Sequence, residues 1–171
     1  IKPNGSVLSK GVWRATDEWS AVAALDNEWN TRIRLASDEV MAVQPVSADG
    51  AVVGDGTIRF RENYDWKQGT TGVSLGPQVR AGRLVGRWTH PEFPHTWEVL
   101  PDGTWVEQPK EGGPPQRGMT YSLGDEGFVV VMENGYRLRC WRLDDEVLAM
   151  IVVAPDGMLK SDGLIVAKTP R

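Results

Sequence analysis

Cysteine is nearly absent from this chain of 171 residues, and so is any long apolar run. Cys140 stands alone, so no disulfide can form within the chain; a single thiol fits a reducing compartment without excluding export. The longest apolar run, residues 147–154, has eight residues, far fewer than a membrane-spanning helix needs. The formal net charge of −4 and the pI near 5.2 argue against a nucleic-acid-binding surface, which needs an extended basic stripe.

The first residue is Ile1 rather than Met, and the compartment is therefore unknown from the sequence. One expectation is an organellar or exported protein whose leader has been removed. The other is a start that is disordered.

Tryptophan and turn signals are what the chain has in abundance. There are eight tryptophans against three Phe and three Tyr, and tryptophan is enriched both in cores and at binding surfaces. Glycine-containing turn signals recur at residues 3–6, 48–50, 101–104 and 155–157. Short apolar stretches separated by such turns predict an all-β fold, either an antiparallel meander barrel or a two-lobed β-barrel or sandwich.

Residues 97–107 predict a hairpin whose register depends on Pro101. A two-residue Asp-Gly loop would need the N–H of residue 101, which proline lacks. A three-residue loop, with a type I turn closed by a left-handed glycine at position 103, avoids this requirement. The resulting pairs are Val99 with Trp105 and Trp97 with Glu107. Because side chains alternate along a strand, the valine and both tryptophans share one face, which we expect to point into the core.

The second half of the chain repeats the first. When the sequence is shifted by 107 residues, residues 11–60 align with residues 118–167 without a gap, and fourteen of the fifty positions are identical. Many of the identities lie at turn positions, which favours an internal duplication. We interpret the chain as one compact unit with three parts: a first β repeat that lacks its first strand (1–66), a linker or connecting strand (67–85) and a second β repeat (86–171).

Two segments need separate interpretation. Residues 17–25 are the best helix candidate, but their counterparts in the second repeat are rich in β-formers, so we expect a strand or an irregular segment. Residues 147–154 are continuously apolar, which predicts a strand that is buried on both faces or that crosses a barrel.

The motif Gly86-Arg87-Trp88 opens the meander of the second repeat, and Gly11-Val12-Trp13 is a similar motif in the first. A Gly-X-Trp start followed by antiparallel strands resembles the lipocalins and other calycins. The resemblance implies a barrel with an apolar interior and a ligand pocket. It also implies that Trp88 closes one end of the barrel beneath a basic side chain from a late strand, either Lys168 or Arg171.

Residues that can carry chemistry are few. His90, Glu92 and His95 lie within six residues, but the two prolines among them indicate an extended loop rather than a preformed metal site. Glu107 shares a face with tryptophans; it lies either in water at the rim of the barrel or buried against indoles with a raised pKa, where it could act as an acid. We predict ligand contacts for Trp88, Trp97, Trp105, Glu107 and His95, and neither a metal site nor a catalytic set; any cofactor is unknown.

Four arginines form a basic stripe that occurs in both repeats. Alternation places them opposite the apolar face of their strands, where they are solvated, pair with acidic residues or bind an acidic partner protein. They are Arg32, Arg34, Arg137 and Arg139.

Three functions remain open at this point. The first is a non-catalytic binding or accessory module that docks on a partner protein or a larger assembly. The second is a calycin-like carrier of a small apolar ligand or a sugar. The third is a barrel-type cyclase or isomerase, in which shape and one or two polar groups do most of the work. Cys140 alternates with Leu138 on a strand, which predicts a buried thiol rather than a nucleophile.

Overall fold

The computed structural model describes residues 11–17, 20–25, 30–61, 76–79, 82–124, 127–161 and 163–170, and it is all-β apart from one 3-10 turn, Gly82–Leu84. Five strands form an open antiparallel sheet, which we call the N-terminal sheet. They are β1 (Gly11–Asp17), β2 (Ser20–Leu25), β3 (Asn30–Ser37), β4 (Val40–Val46) and β5 (Thr57–Phe60).

Eight further strands form a closed barrel, in which each strand pairs with the next along the chain and the last pairs with the first. They are β6 (Gly86–Thr89), β7 (His95–Val99), β8 (Thr104–Pro109), β9 (Gln116–Ser122), β10 (Phe128–Met132), β11 (Arg137–Arg142), β12 (Val147–Val153) and β13 (Leu164–Lys168). All eight pairings are antiparallel. The prediction of an all-β meander barrel is therefore confirmed.

The predicted β7–β8 hairpin has the register that Pro101 requires. Trp97 pairs with Glu107 and Val99 with Trp105. The Gly103 N–H donates to the Leu100 carbonyl at 3.0 Å, and Gly103 has a φ of +89°, a conformation that glycine adopts without a steric penalty. Both tryptophans of the hairpin point into the barrel, as expected.

The interior of the barrel is filled by side chains over most of its length. Trp88, Trp97 and Trp105 are each 0–1% exposed. They pack with Phe128, Leu148, Met150 and further apolar residues into one cluster. Eight strands enclose a space that side chains of this size can fill, so the tryptophans act first as core residues.

The internal duplication is visible in the strand register. Strands β1–β5 correspond to β9–β13, and adding 107 to both partners of a pair gives the equivalent pair in the barrel. This holds for Val12–Ala24 and Met119–Val131, Val22–Arg32 and Val129–Arg139, Ile33–Val43 and Cys140–Met150, and Ala42–Ile58 and Ala149–Ile165. A one-residue slip would reverse every side chain, so the agreement of four ladders supports a common origin for the two copies.

The N-terminal sheet packs on the outer wall of the barrel, and the two copies of the repeat use equivalent faces for this contact. The buried cluster between them contains Val40, Ala42, Ile58, Trp141, Ala149, Ile151, Val153 and Ile165. Val40, Ala42 and Ile58 come from the sheet. Ala149 and Ile165 come from the barrel, and they lie 107 positions after Ala42 and Ile58. Since β12 has the barrel interior on one side and this cluster on the other, its continuous apolar sequence is explained.

Other predictions divide into three groups. Within the segment 17–25, Asp17 ends β1 and Ser20–Leu25 form β2, so the described residues of this segment are strand, as expected. The turn at residues 3–6 and most of the segment 63–83 lie outside the described residues, although Gln78 forms a β-bridge with Tyr121. The division into 1–66, 67–85 and 86–171 stays a prediction. None of the helical segments among the described residues has the length and apolarity to span a membrane.

Candidate ligand pocket at the mouth of the barrel

One end of the barrel holds a cavity of about 330 Å³, which we call the mouth pocket. Its walls come from the start of β7, the end of β8, the start of β9 and the segments around β11 and β12. The lining residues are Phe93, His95, Glu107, Pro109, Gln116, Asn134, Tyr136, Leu138, Val152 and Lys160. This mixture of apolar walls and a few polar groups is typical of small-molecule sites, whose volumes begin at about 300 Å³.

The polar centre of the mouth pocket is the pair His95 and Glu107. His95 begins β7 rather than lying in the preceding loop, and Glu107 lies near the end of β8. The His95 Nδ1 is 3.2 Å from the Glu107 Oε1, but the N–H direction does not satisfy hydrogen-bond geometry. The two groups are therefore close enough to share a proton, but they are not joined by a well-formed hydrogen bond.

Glu107 does not lie in open water: its side chain is 15% exposed and that of His95 is 32% exposed. Burial raises the pKa of the Glu107 carboxyl, and the charge of His95 opposes the rise. The carboxyl thus lies at the mouth of the barrel, where one of the two sequence alternatives put it, but most of its surface is withdrawn from water. The Glu107 carboxyl therefore stays protonated up to a higher pH than an ordinary glutamate, and the protonated carboxyl can donate a hydrogen bond.

The apolar wall begins with Phe93. Its ring stacks on Trp97, with centroids 5.2 Å apart and planes at 22°, and it meets the His95 ring at 5.5 Å. Tyr136 and Val152 continue the wall on the far side. A flat or compact apolar group has both aromatic and aliphatic surface available in the pocket.

The opposite end of the barrel is capped around Trp88, beside a second cavity of about 460 Å³ whose lining includes Leu84 and Phe128. The Trp88 indole Nε1 donates to the Leu84 carbonyl at 2.9 Å in the 3-10 turn. Lys168 Nζ lies 5.5 Å from the centre of a Trp88 ring and donates to the Arg83 carbonyl at 2.9 Å. Of the two basic residues expected over this tryptophan, Lys168 lies there, and Arg171 lies outside the described residues.

The structure brings two of the five predicted ligand residues to the mouth pocket, His95 and Glu107. Trp88, Trp97 and Trp105 lie in the filled core and do not line it. Sequence reasoning missed Phe93, Tyr136 and Lys160. The alternation of Tyr136 with Leu138 and Cys140 was a usable signal for an inward-facing residue, whereas nothing in the sequence indicated Lys160.

The predicted arginine stripe is not uniformly exposed. Arg139 is 1% exposed; its guanidinium lies 4.9 Å from a ring centre of Trp141. The expectation of a solvated side chain is wrong at this residue, because the N-terminal sheet covers that part of the outer barrel wall. Arg34 pairs with Asp144 at 2.6 Å, and Arg32 donates to the Gly50 carbonyl at 2.7 Å. Binding of a partner by Arg32, Arg34, Arg137 and Arg139 stays a prediction.

The remaining candidates have structural roles. Cys140 is fully buried, and burial raises the pKa of its thiol far above the ordinary value, as the prediction of an inert thiol requires. His90 and His95 face different partners, Asp55 and Glu107 respectively. Among the described residues, no three His, Cys, Asp or Glu side chains converge as metal ligands would.

Comparison with known proteins adds no relative. A scan of protein-family models, a search of curated proteins and a search of solved structures each found no match to this chain.

Proposed function

We propose that this protein is a calycin-like barrel that binds a small molecule in its mouth pocket. The observation that carries the proposal is a cavity of about 330 Å³ with an aromatic wall and a half-buried carboxyl–imidazole pair at one end of a closed eight-stranded barrel. Pockets of this kind hold a largely apolar ligand and orient it with a few polar groups.

The closed end of the barrel supports the calycin-like assignment. That resemblance implied a basic side chain over the tryptophan of the Gly86-Arg87-Trp88 motif, and Lys168 lies over Trp88. The hydrogen bonds from Trp88 and Lys168 to the 3-10 turn hold the cap at this end. In this proposal the ligand enters at the other end, through the mouth pocket.

The lining residues suit a compact apolar molecule with one polar head. Phe93, Tyr136 and Val152 supply the surface for the apolar body. Glu107, which is protonated more easily than an ordinary glutamate, and Lys160 can take a hydroxyl, carbonyl or acidic head. A sugar is less well matched, because the three core tryptophans that could stack on it are buried.

The proposal is tested with the fluorescent probe 1-anilinonaphthalene-8-sulfonate, which has an apolar body and an anionic head. We expect saturable binding to the full chain, and loss of binding in Val152→Trp, where a larger side chain fills the cavity. A matched control is Val12→Trp, because Val12 is 78% exposed in the N-terminal sheet. Equal binding by wild type and Val152→Trp, or no binding by wild type, would contradict the proposal.

Native mass spectrometry of the chain isolated from its own source would identify a bound ligand. A small added mass that is lost on denaturation is the expected result. Recovery in a large assembly without an added small mass would instead favour the accessory module that docks on a partner protein, a function for which the described arginine contacts supply no specific support.

A second candidate function is acid–base catalysis in the same pocket, as in a cyclase or isomerase. The observation that favours it is the raised pKa of Glu107 beside His95, since shifted carboxyls cluster at catalytic sites. Incubation with the molecule recovered by mass spectrometry separates the two functions. A carrier returns it unchanged, whereas an enzyme converts it, and the conversion is lost in Glu107→Gln but not in Glu98→Gln, on the exposed face of β7.

A further inference from the structure

The loop between β6 and β7, residues 90–94, brings Phe93 to the mouth pocket, and the side chains of His90 and Lys110 hold this loop. His90 is 5% exposed. Its Nδ1 accepts hydrogen bonds from the backbone N–H groups of Glu92 at 3.3 Å and Phe93 at 3.2 Å. A ring nitrogen that accepts two N–H groups carries no proton, so the proton of the neutral ring lies on Nε2.

The Nε2 of His90 faces the N-terminal sheet. It lies 3.4 Å from Oδ1 of Asp55, in the segment between β4 and β5. The neighbouring Gly56 packs against Ile165 of β13, and a Cβ at position 56 would clash with that side chain. The close packing of the sheet on the barrel at Gly56 therefore places the Asp55 carboxylate within ion-pair distance of the His90 ring.

Lys110 ties both ends of the loop to the barrel. Its Nζ donates to the carbonyls of His90 and Pro91, both at 2.8 Å, and its backbone N–H donates to the Pro94 carbonyl at 2.8 Å. Between these two attachments lies Phe93, whose ring forms the pocket wall and stacks on Trp97. A rotation of the His90 ring would release the two N–H groups and move Phe93 relative to the rest of the pocket.

We propose that His90 is a positioning residue through which the N-terminal sheet sets the ligand affinity of the mouth pocket. Asp55 orients the imidazole ring, the ring accepts the backbone N–H of Phe93, and the Phe93 side chain forms part of the pocket wall. Among the described residues, no side chain of the N-terminal sheet lines the pocket, so the sheet acts on it through this contact. The inference deepens the proposed function and rests on it.

The experiment uses the full chain and the same anilinonaphthalene sulfonate probe. Asp55→Ala removes the acceptor for the His90 Nε2 proton, and we expect the dissociation constant to rise roughly five- to tenfold, the lower part of the usual range for coupled sites. Asp55→Asn retains an amide oxygen that accepts the same proton, so it should bind the probe like the wild type. Asp38→Ala, in an exposed turn of the same sheet, is the matched control.

Two histidine variants separate the contacts on either side of the ring. The amide oxygen of His90→Asn can take the place of Nδ1 but does not reach Asp55, whereas the amide nitrogen of His90→Gln can take the place of Nε2. We expect the Phe93 amide resonance in ¹⁵N spectra to shift in both variants, because each variant breaks one contact of the ring. Adding Asp55→Ala to His90→Asn should cause no further shift, because the contact to Asp55 is already lost; two shifts that simply add would indicate a general loss of packing.

Failure of this inference is distinguishable from failure of the proposed function. If wild type binds the probe and Asp55→Ala binds it equally well, the coupling is overturned and the pocket stands. If wild type binds no probe, the proposed function is overturned; the Phe93 amide then decides the contact alone, and an unshifted resonance in Asp55→Ala overturns it.

Discussion

Gly163 and Ile58 lie so close that a Cβ added to the glycine would be 2.7 Å from the Cβ of the isoleucine. The same contact occurs a second time, between Gly56 and Ile165, which are the residues 107 positions away from Ile58 and Gly163. A contact that recurs with its partners exchanged is the mark of a two-fold related interface. The two copies therefore pack on each other as the subunits of a symmetric dimer do.

We predict that Gly163→Ala destabilises the protein through this interface. Gly163 has a φ of +101°, so alanine is strained there in any case. Gly112→Ala is the control, because Gly112 has a φ of +87° and no heavy atom within 4 Å of its would-be Cβ. Urea unfolding should show that Gly163→Ala costs about 1–3 kcal/mol more than Gly112→Ala, as overpacking does. Equal losses of unfolding free energy in the two variants would mean that the interface accommodates the extra methyl group without cost.

Truncation of Trp97 tests whether this tryptophan is a core residue. The side chain is 1% exposed in the barrel, so Trp97→Ala should lower the free energy of unfolding by about 3–5 kcal/mol. Met158→Ala, at a side chain that is 60% exposed, should change it by less than about 0.5 kcal/mol. Denaturant titration followed by circular dichroism measures both. A negligible loss for Trp97→Ala would reverse the assignment of the two hairpin faces.

The raised pKa of Glu107 makes the effect of Glu107→Gln depend on pH. A carboxyl whose pKa is higher in the folded than in the unfolded state binds more protons when folded, so the stability of the wild type falls as the pH rises from the unfolded-state pKa towards the raised one. The penalty is absent below that window and complete above it. Glu107→Gln removes it, and the variant should gain stability relative to wild type as the pH rises from the usual pKa of a glutamate towards the raised pKa of Glu107.

The control for this titration is Glu98→Gln, on the exposed face of β7. Its stability difference from wild type should stay nearly constant over the same pH range. If Glu107→Gln behaves in the same way, the carboxyl is solvated and the mouth pocket is wetter than its geometry indicates.

Lys168 should stabilise the closed end of the barrel. Lys168→Met keeps an apolar stem over Trp88 but removes the charge and the hydrogen bond to the Arg83 carbonyl. We expect a loss of about 1–2 kcal/mol in unfolding free energy, the sum of a modest cation–π contact and one hydrogen bond. Lys160→Met, on an exposed side chain, should be nearly neutral. A neutral Lys168→Met would weaken the calycin-like interpretation of this end.

Local features of the structure were predictable because they have local causes. Pro101 lacks an N–H, and this alone selects the three-residue loop and the pairing of Trp97 with Glu107. The alternation of side chains places Arg139 on the outer face of β11 and Leu138 on the inner face. The 107-residue repeat implies equal registers, and the two copies have them.

Burial and the pocket were not predictable in the same way. Arg139 lies on the outer face, as alternation requires, yet it is buried, because a second layer covers the outer face of the barrel at that point. Phe93, Tyr136 and Lys160 belong to three separate segments, and no spacing in the sequence indicates that closure of the barrel brings them to one cavity.

The sequence by itself determined the turns, the face on which each strand residue lies and the equivalence of the two copies, because backbone sterics and the two-residue period of a strand act over short distances. Three outcomes depend on the tertiary structure. Strands β6–β13 close into a barrel while β1–β5 form an open sheet on its surface. One end of the barrel is capped around Trp88, and a particular set of side chains meets at the mouth. These outcomes depend on contacts between residues far apart in the chain, where packing of the whole core selects among arrangements that local rules allow equally.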